Sequence, residues 1–381
     1  MDREDLKYSP VEARIDLGRI RSNLRAMQSL AGGGHVMAVV KANAYGHGSV
    51  DVARALRGYG VGFFAVAQLP EALELRRAGI TERIVVFGIP RERELPIFSE
   101  YGLDLVAGSD RIVRWIASGV GLTNLHVHLK VDTGMHRLGV SPGDAGEAVR
   151  VLQSNPGVHL AGLWTHLANS DEPSDPFTIE QARQFEPVVH EYGDAFDHVH
   201  VAASSGLWNF RELAALAPRM LVRLGISLYG YLEDGATSRH AGLSPAMQFV
   251  SRVVQMRRVR AGEGVSYNRT WTAREDSLVA TVAAGYADGF PRLLSNRARV
   301  GIGGREYPVV GTVCMDMLTV LLGTAGFPCA VSEDDEVILF GEGGPSAFEV
   351  ARWAETIVYE VCTNIPARVR RTYSGGGTGI P

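Results

Sequence analysis

The stretch AVVKANAYGHG, residues 38–48, joins an apolar run directly to a lysine. The run from Val36 to Val40 has the length and apolar character of a buried strand. Seven further short runs follow, at 63–67, 84–87, 103–106, 125–131, 158–164, 198–202 and 220–224. Segments rich in Ala, Leu, Glu and Arg separate these runs, which is typical of alternating βα units and a parallel sheet. Because eight such strands close into a barrel, we predict a (β/α)8 TIM barrel.

The sequence changes character after residues 243–245, where short alternating strands punctuated by glycine replace the βα alternation. Only one clear helix is predicted beyond this point, at 346–356. We therefore predict a TIM barrel over residues 10–243 and a C-terminal, mainly-β domain over residues 244–381. Residues 1–9 could join the second domain.

The composition excludes several classes of function. Of the 381 residues, 46% are hydrophobic and 21% are charged, which is enough to bury one large core and a smaller one. The net charge is −4 and the chain has no basic block, so we expect no nucleic-acid partner. The first ten residues are polar, and no run of roughly eighteen apolar residues follows, so we expect no membrane association.

Cysteine and histidine usage indicates the compartment and argues against a metal. The three cysteines are far apart and lack the paired spacing of a zinc or redox motif, so we expect a reducing compartment and a cytoplasmic protein. His126 and His128 share one face of a strand, as do His198 and His200. No cysteine or carboxylate completes a metal-ligand pattern beside them, so we predict no metal site.

Lys41 is the first candidate for chemistry. In a βα barrel the carboxyl ends of the strands form the active-site face, so Lys41 should direct its amine into the pocket. A lysine there can form a Schiff base if burial lowers its pKa. From spacing alone, a lysine whose stem packs on the surface is the more frequent case.

The loops after the seventh and eighth strands are the second candidate, because phosphate sites in such barrels usually form there. The first loop contains Ser204, Ser205 and Gly206, and the second is Arg223-Leu224-Gly225-Ile226-Ser227. Both offer hydroxyls and unobstructed backbone N–H groups. Taken singly, each loop could also be an ordinary turn.

Six segments together identify a family. They resemble the alanine racemases, in order and over almost the whole chain: AVVKANAYGHG at 38–48, LKVDTGMHRLG at 129–139, THLANSDE at 165–172, VRLGISLYG at 222–230, GYADGFPR at 285–292 and VCMDM at 313–317. The resemblance implies pyridoxal 5'-phosphate (PLP) as the cofactor and a small amino acid as the substrate. It also implies that Lys41 forms the Schiff base and that Arg223 faces the pyridine nitrogen. The residues that it places around the phosphate are Tyr45, Ser204, Gly225, Ile226 and Ser227.

A racemase delivers protons to opposite faces of one planar carbon and therefore needs two bases. The resemblance assigns one face to Lys41 and the other to Tyr267, with His166 as a hydrogen-bond relay backed by Arg223 and His200. It further implies a homodimer, in which one subunit completes the other's pocket. The residues contributed in this way are Tyr267, Tyr286 and Met315.

Two further basic residues have implied roles. Arg137 resembles the arginine that holds the phenolic oxygen of the cofactor and the substrate carboxylate. Lys130 matches a lysine that some family members carry as a carbamate, which would turn a cation into an anion beside Arg137. A solvated Arg/Lys pair is the alternative from the sequence alone.

Three positions depart from the family pattern and leave the substrate range open. Ala203 stands where asparagine is common, Ala367 where a tyrosine walls the pocket, and Thr312 where an arginine lines the approach. Because one methylene changes binding by only ~1–3 kcal/mol, a broad alanine/serine racemase remains open. A barrel decarboxylase is disfavoured by the Tyr267 segment, and a non-catalytic PLP carrier by the C-terminal domain. The resemblance implies that the product D-alanine supplies peptidoglycan.

Overall fold

The computed structural model describes residues 5–32, 34–119, 123–217, 219–326 and 328–376. These residues form two compact units. The barrel unit comprises the described residues of Ile20–Ala44 and Ser49–Ser244. The β unit comprises those of Met1–Arg19, Tyr45–Gly48 and Pro245–Thr378.

The eight predicted barrel strands are all present. In chain order, strand β1 (Glu12–Asp16) belongs to the β unit and the next eight strands form the barrel: β2 (His35–Val39), β3 (Val61–Val66), β4 (Arg83–Val86), β5 (Asp104–Ala107), β6 (Leu125–Lys130), β7 (Val158–Trp164), β8 (His198–His200) and β9 (Leu221–Leu224). They pair in parallel in the order β8-β7-β6-β5-β4-β3-β2-β9. Parallel bridges from Val199 to Met220 and from Ala203 to Arg223 join the two edges. The predicted (β/α)8 barrel is therefore confirmed.

Helices alternate with these strands. Strands β5 and β9 are buried along their whole length, as expected where helices cover one face of a parallel sheet and the barrel core fills the other. The helices from residue 17 to residue 240 are Leu17–Leu30, Ser49–Leu56, Leu69–Arg77, Leu95–Glu100, Asp110–Ser118, Ala145–Gln153, Phe177–Tyr192, Ser204–Asn209 and Gly235–His240. Among the described residues, none of the helices is long and apolar enough to cross a membrane.

The β unit is built on one mixed sheet. Its further strands are β10 (Met247–Val259), β11 (Gly264–Val265), β12 (Trp271–Thr272), β13 (Ser277–Val282), β14 (Arg299–Ile302), β15 (Arg305–Pro308), β16 (Leu318–Thr324), β17 (Glu336–Phe340) and β18 (Arg370–Ser374). The main path runs β15-β14-β17-β10-β1-β18, and β13 pairs with both β10 and β16, whereas β11 and β12 form a separate antiparallel pair. The C-terminal, mainly-β architecture is therefore confirmed.

Two details differ from the sequence-based expectation. Strand β1 lies in the β unit, antiparallel to β10 and parallel to β18, although a boundary at residue 10 places it in the barrel. Its alternating burial, followed at once by the helix Leu17–Leu30, resembles a βα unit in the sequence. The β unit also contains a second helix, Val358–Thr363, after the expected one at Ala347–Trp353. The expected helix starts with a capping box at Ser346, whereas the second follows Ile357, which forms no side-chain cap.

Candidate active site

Lys41 follows β2 at the carboxyl end of the barrel strands. The N–H of Val40 still donates to the carbonyl of Ala65, at 2.8 Å, so the strand pairing holds the chain up to the residue before Lys41. Burial is the main cause that lowers the pKa of the Lys41 amine. Arg137 and Arg223 lower this pKa further, and Glu71 opposes them. The lowered pKa makes the neutral amine, which nucleophilic or base chemistry requires, more accessible than in a solvated lysine.

The turn after Lys41 has an unusual backbone. Ala42, Asn43, Ala44 and Tyr45 have φ angles of 51°, 54°, 54° and 51°, so four consecutive non-glycine residues are left-handed. Each costs roughly 1–2 kcal/mol relative to right-handed helix. Strain of this kind persists only where surrounding contacts hold it, and it occurs often at active sites.

Glu71 provides one of those contacts. Its Oε1 accepts the N–H of Ala42 at 2.6 Å, while Oε2 accepts the N–H groups of Ala67 at 2.8 Å and Gln68 at 2.9 Å. One carboxylate thus ties the turn after Lys41 to the loop after β3. The sequence analysis missed Glu71, although its position three residues after Gln68, at the start of Leu69–Arg77, is that of a capping box.

Replacing Glu71 by glutamine should weaken this clamp. The amide oxygen can serve Ala67 and Gln68, but the amide nitrogen then faces the N–H of Ala42, and two donors cannot bond. We expect the free energy of unfolding to fall by about 1.5–3 kcal/mol, the range for a hydrogen bond to a charged group. Urea denaturation measures this loss. Glu74→Gln changes an exposed residue of the same helix and serves as the control; equal midpoints for the two variants would refute the clamp.

Arg223, on β9, is a buried arginine with several hydrogen-bond partners. Its guanidinium donates to Nδ1 of His200 at 3.1 Å and of His166 at 3.1 Å, and to the carbonyls of Thr165 at 3.0 Å and Val201 at 2.8 Å. Burial lowers the pKa of Arg223 to about 9, so the group still carries its charge at neutral pH. A guanidinium has only donors, so any group that it faces must accept.

His166 is neutral in this environment. Burial first, and then the charges of Arg223, Arg137, Lys130 and Lys41, lower its pKa well below the ordinary value. Since Nδ1 accepts a hydrogen bond from Arg223, the single proton of the neutral ring lies on Nε2. His166 can therefore donate through Nε2.

The two predicted phosphate loops meet through their serines. The hydroxyls of Ser204 and Ser227 are 2.8 Å apart, and Ser204 Oγ also accepts the N–H groups of Gly225 at 3.1 Å and Ser227 at 3.3 Å. Ile226, between them, is buried. Two hydroxyls and a run of backbone N–H groups after β8 and β9 form a donor set suited to a phosphate.

Lys130 and Arg137 have different surroundings. Lys130, at the end of β6, is 1% exposed; its Nζ donates to the carbonyl of Leu138 at 2.7 Å and lies 5.2 Å from the ring centroid of Trp164. Burial is the main cause that lowers its pKa to about 8. Arg137 is exposed in the loop that follows.

The remaining predicted residues belong to the β unit. Tyr267, Tyr286 and Met315 are exposed by 68%, 43% and 53%. The N–H of Tyr286 donates to the carbonyl of Cys314 at 3.0 Å, so the Tyr286 and Met315 segments are held side by side. Thr312, one of the three departures, donates its hydroxyl to the carbonyl of Tyr267 at 2.8 Å.

Tyr45 also packs within the β unit, with its ring centroid 6.0 Å from that of Tyr359. Burial raises the pKa of its hydroxyl, so this group remains protonated. The barrel unit thus holds Lys41, Lys130, Arg137, His166, His200, Arg223 and the serine loops, and the β unit holds Tyr45, Tyr267, Tyr286 and Met315. Among the described residues, no group of three or more potential metal ligands is placed to hold a metal ion.

Comparison with known proteins identifies the family. Residues 15–233 match the family model described as alanine racemase, N-terminal domain, and residues 246–373 match alanine racemase, C-terminal domain. The alanine racemase of Chlorobaculum tepidum is 40% identical over 370 residues, covering 94% of each chain. That of Mycolicibacterium vanbaalenii is 40% identical over 378 residues, covering 96% of this chain and 95% of the relative.

Solved structures agree with these matches. The alanine racemase from D-cycloserine-producing Streptomyces lavendulae superposes with a TM-score of 0.87 at 34% identity, covering 96% of this chain and 97% of that one. The Bacillus anthracis alanine racemase, solved with bound L-Ala-P, gives 0.86 at 32% identity, covering 96% and 95%. The chain is therefore an enzyme that belongs to the alanine racemase family.

Proposed function

We propose that this enzyme interconverts L-alanine and D-alanine with PLP as its cofactor and with one base for each face of the α-carbon. The observation that carries the proposal is the position of Lys41: a half-buried amine with a lowered pKa follows β2 at the strand ends of a barrel whose phosphate-type donor set follows β8 and β9. Family membership supports the same reaction.

The described residues fit the cofactor. Ser204, Ser227 and the backbone N–H groups of Gly225, Ile226 and Ser227 would hold the phosphate, with Gly225 and Ser227 exchanging their present bonds to Ser204 Oγ for bonds to phosphate oxygens. Lys41 would hold the aldehyde carbon, and Arg223 would face the ring nitrogen. The family resemblance adds Tyr45 at the phosphate and His200 behind Arg223. When bound, PLP supplies an electron sink that makes the α-proton of an amino acid acidic.

Lys41 and Tyr267 would then handle the proton from opposite faces. Tyrosine needs help near neutral pH, because its unperturbed pKa is about 10. The Nε2–H of neutral His166 is a donor able to stabilise a phenolate, which supports a relay between these two residues. Arg137 would bind the substrate carboxylate, and carbamylation of Lys130 would give Arg137 an anionic partner.

Arg223 would control the fate of the reaction. Because its guanidinium keeps its protons at neutral pH, a ring nitrogen facing it stays unprotonated. An unprotonated ring withdraws electrons less strongly, which favours prompt return of the α-proton over transamination.

The second base would come from another copy of the chain. The exposure of Tyr267, Tyr286 and Met315 on the β unit supports a homodimer in which these side chains complete the partner's pocket. As a cytoplasmic enzyme, the dimer would supply D-alanine for peptidoglycan. A racemisation assay on PLP-loaded protein tests the proposal: release of D-alanine from L-alanine is expected, whereas bound PLP without turnover would leave only a PLP carrier.

Serine should be a slower second substrate. Ala367 is exposed and lacks the tyrosine ring that usually walls the pocket in this family. The missing ring would leave space for a substrate side chain larger than methyl. A hydrophobic pocket discriminates between such substrates by only about 1–3 kcal/mol, so we expect serine turnover within roughly 200-fold of alanine. Chiral chromatography measures both products, and Ala367→Tyr should lower the serine-to-alanine ratio. Undetectable serine turnover at saturating PLP would contradict this expectation.

A further inference from the structure

A continuous line of hydrogen bonds crosses the interior of the barrel unit. Nε2 of His128, on β6, lies 2.9 Å from Oδ2 of Asp104, on β5. Nδ1 of His128 lies 3.0 Å from Nε2 of His200, on β8. Nδ1 of His200 lies 3.1 Å from the guanidinium of Arg223, on β9. Four side chains from four strands thus connect a carboxylate to the arginine of the active site.

The ends of this line determine where each proton lies. The Arg223 guanidinium can only donate, so Nδ1 of His200 accepts and the proton of His200 is on Nε2. That proton is donated to Nδ1 of His128, whose own proton is therefore on Nε2 and is donated to Asp104. The Asp104 carboxylate can only accept a hydrogen bond, so every bond of the line is donated in the direction from Arg223 to Asp104. Burial is the main cause that lowers the pKa of His200 well below its ordinary value, which keeps this ring neutral.

The line also connects two buried charges. Asp104 is 1% exposed and Arg223 is 3% exposed, while both imidazoles between them are fully buried. All hydrogen bonds of Arg223 within the described residues go to neutral acceptors. A buried charge is costly unless it is compensated. Because the Asp104 carboxylate polarises the two imidazoles, part of its negative charge stabilises the positive charge of the Arg223 guanidinium.

The position of His128 is built into the barrel. A Cβ added at Gly162, on β7, would lie 2.1 Å from Nδ1 of His128, so only glycine leaves room for this ring. On the other side of the line, the ring of His200 stacks on Trp164, with centroids 5.2 Å apart and an interplanar angle of 5°. Both imidazoles are therefore fixed by neighbours as well as by their hydrogen bonds.

We propose that Asp104 and His128 are positioning residues of this enzyme: together they hold His200 in its Nε2–H tautomer, so that Nδ1 always accepts from Arg223 and the guanidinium keeps one orientation. The catalytic consequence rests on the proposed function, in which Arg223 faces the ring nitrogen of PLP. The positions of the protons on His128 and His200 do not depend on the proposed function.

Asparagine at position 104 would remove this control. Its amide could donate to Nε2 of His128 instead of accepting, which reverses the line and places a proton on Nδ1 of His200. Two donors would then meet between His200 and Arg223, and the guanidinium would have to move. An aspartate that holds an imidazole in its productive tautomer is an established catalytic device.

The first test measures the tautomers in the wild-type, PLP-loaded protein. With ¹⁵N-labelled histidine, long-range ¹H–¹⁵N spectra distinguish the protonated from the unprotonated ring nitrogen, and His128→Gln and His200→Gln spectra assign the signals. We expect Nε2–H for His128 and His200. A proton on Nδ1 of either ring overturns the proposal, whether or not any variant folds.

The second test uses Asp104→Asn, with Arg83→Gln as the matched control. Arg83 forms a salt bridge to Asp104 at 2.7 Å, so its loss disturbs the same carboxylate without removing it. For Asp104→Asn we expect a mixture of His200 tautomers and a kcat for alanine lower by about 10–100-fold. KM should stay within about twofold, since Asp104 is only 1% exposed. Arg83→Gln should keep the Nε2–H tautomers and kcat within about twofold.

The outcomes separate this proposal from the function on which it rests. If wild-type protein racemises alanine but Asp104→Asn keeps both the tautomers and kcat, the positioning role is overturned alone. Equal losses of kcat in Asp104→Asn and Arg83→Gln, with unchanged tautomers, would also overturn it. If the wild type racemises nothing, the proposed function fails. The spectra of the wild-type protein then still show whether His128 and His200 carry their protons on Nε2.

Discussion

Lys41→Ala should abolish alanine racemisation in both directions, with a loss of at least about 10³-fold. The variant removes the amine that would hold the cofactor and the base for one face, and general acid–base catalysis alone contributes 10²–10⁴-fold. Turnover of both enantiomers, followed by chiral chromatography, measures the loss. Lys7→Ala, which changes an exposed lysine, is the control and should retain wild-type activity.

A chemical test identifies the amine directly, because the chain contains only three lysines, Lys7, Lys41 and Lys130. Borohydride reduction of the PLP-loaded protein followed by peptide mapping should place the cofactor on Lys41. Lys130 is the main alternative site of attachment for the cofactor, since burial lowers the pKa of its amine to about 8. A label on Lys130, or full turnover by Lys41→Ala, would refute the assignment of Lys41.

Tyr267→Phe should have the second-largest effect and a distinctive asymmetry. Racemisation needs one group to take the α-proton and another to deliver it, so turnover in both directions should fall about 10²–10⁴-fold. Lys41 would still exchange the α-proton of the one enantiomer whose proton faces it. In D₂O, mass spectrometry should therefore find deuterium entering one enantiomer of alanine without inversion.

The matched control is Tyr307→Phe, which removes a hydroxyl from β15, outside the proposed site. It should behave as the wild type in both turnover and exchange. Deuterium entering L- and D-alanine equally fast in Tyr267→Phe would show that Tyr267 is not the second base.

The barrel was predictable from the sequence because its strands are buried on both faces. A strand covered by helices on one side and by the core on the other is a short continuous apolar run, and eight such runs were recognisable. Position at a strand end is also local information. Lys41 directly after one run, and the loops that begin at Ser204 and Arg223, could therefore be predicted from the sequence to lie at the carboxyl ends of the strands.

Contacts between distant segments were not predictable in this way. The alternation of Glu12–Asp16 suits a strand of either sheet, so only the structure shows that β1 pairs with β10 and β18. Glu71 was visible as a capping residue, but its bond to Ala42 depends on where the turn after β2 lies.

The hydrogen-bonded line from Asp104 to Arg223 is the clearest example of contacts that the sequence could not predict. Its hydrogen bonds join residues that are 24, 72 and 23 positions apart in the chain. Sequence alone determined which side chains are present and which strands carry them, because periodicity and strand ends are local properties. Only the tertiary structure decided which of them meet inside the barrel, because strand order, register and the space left by Gly162 set those distances.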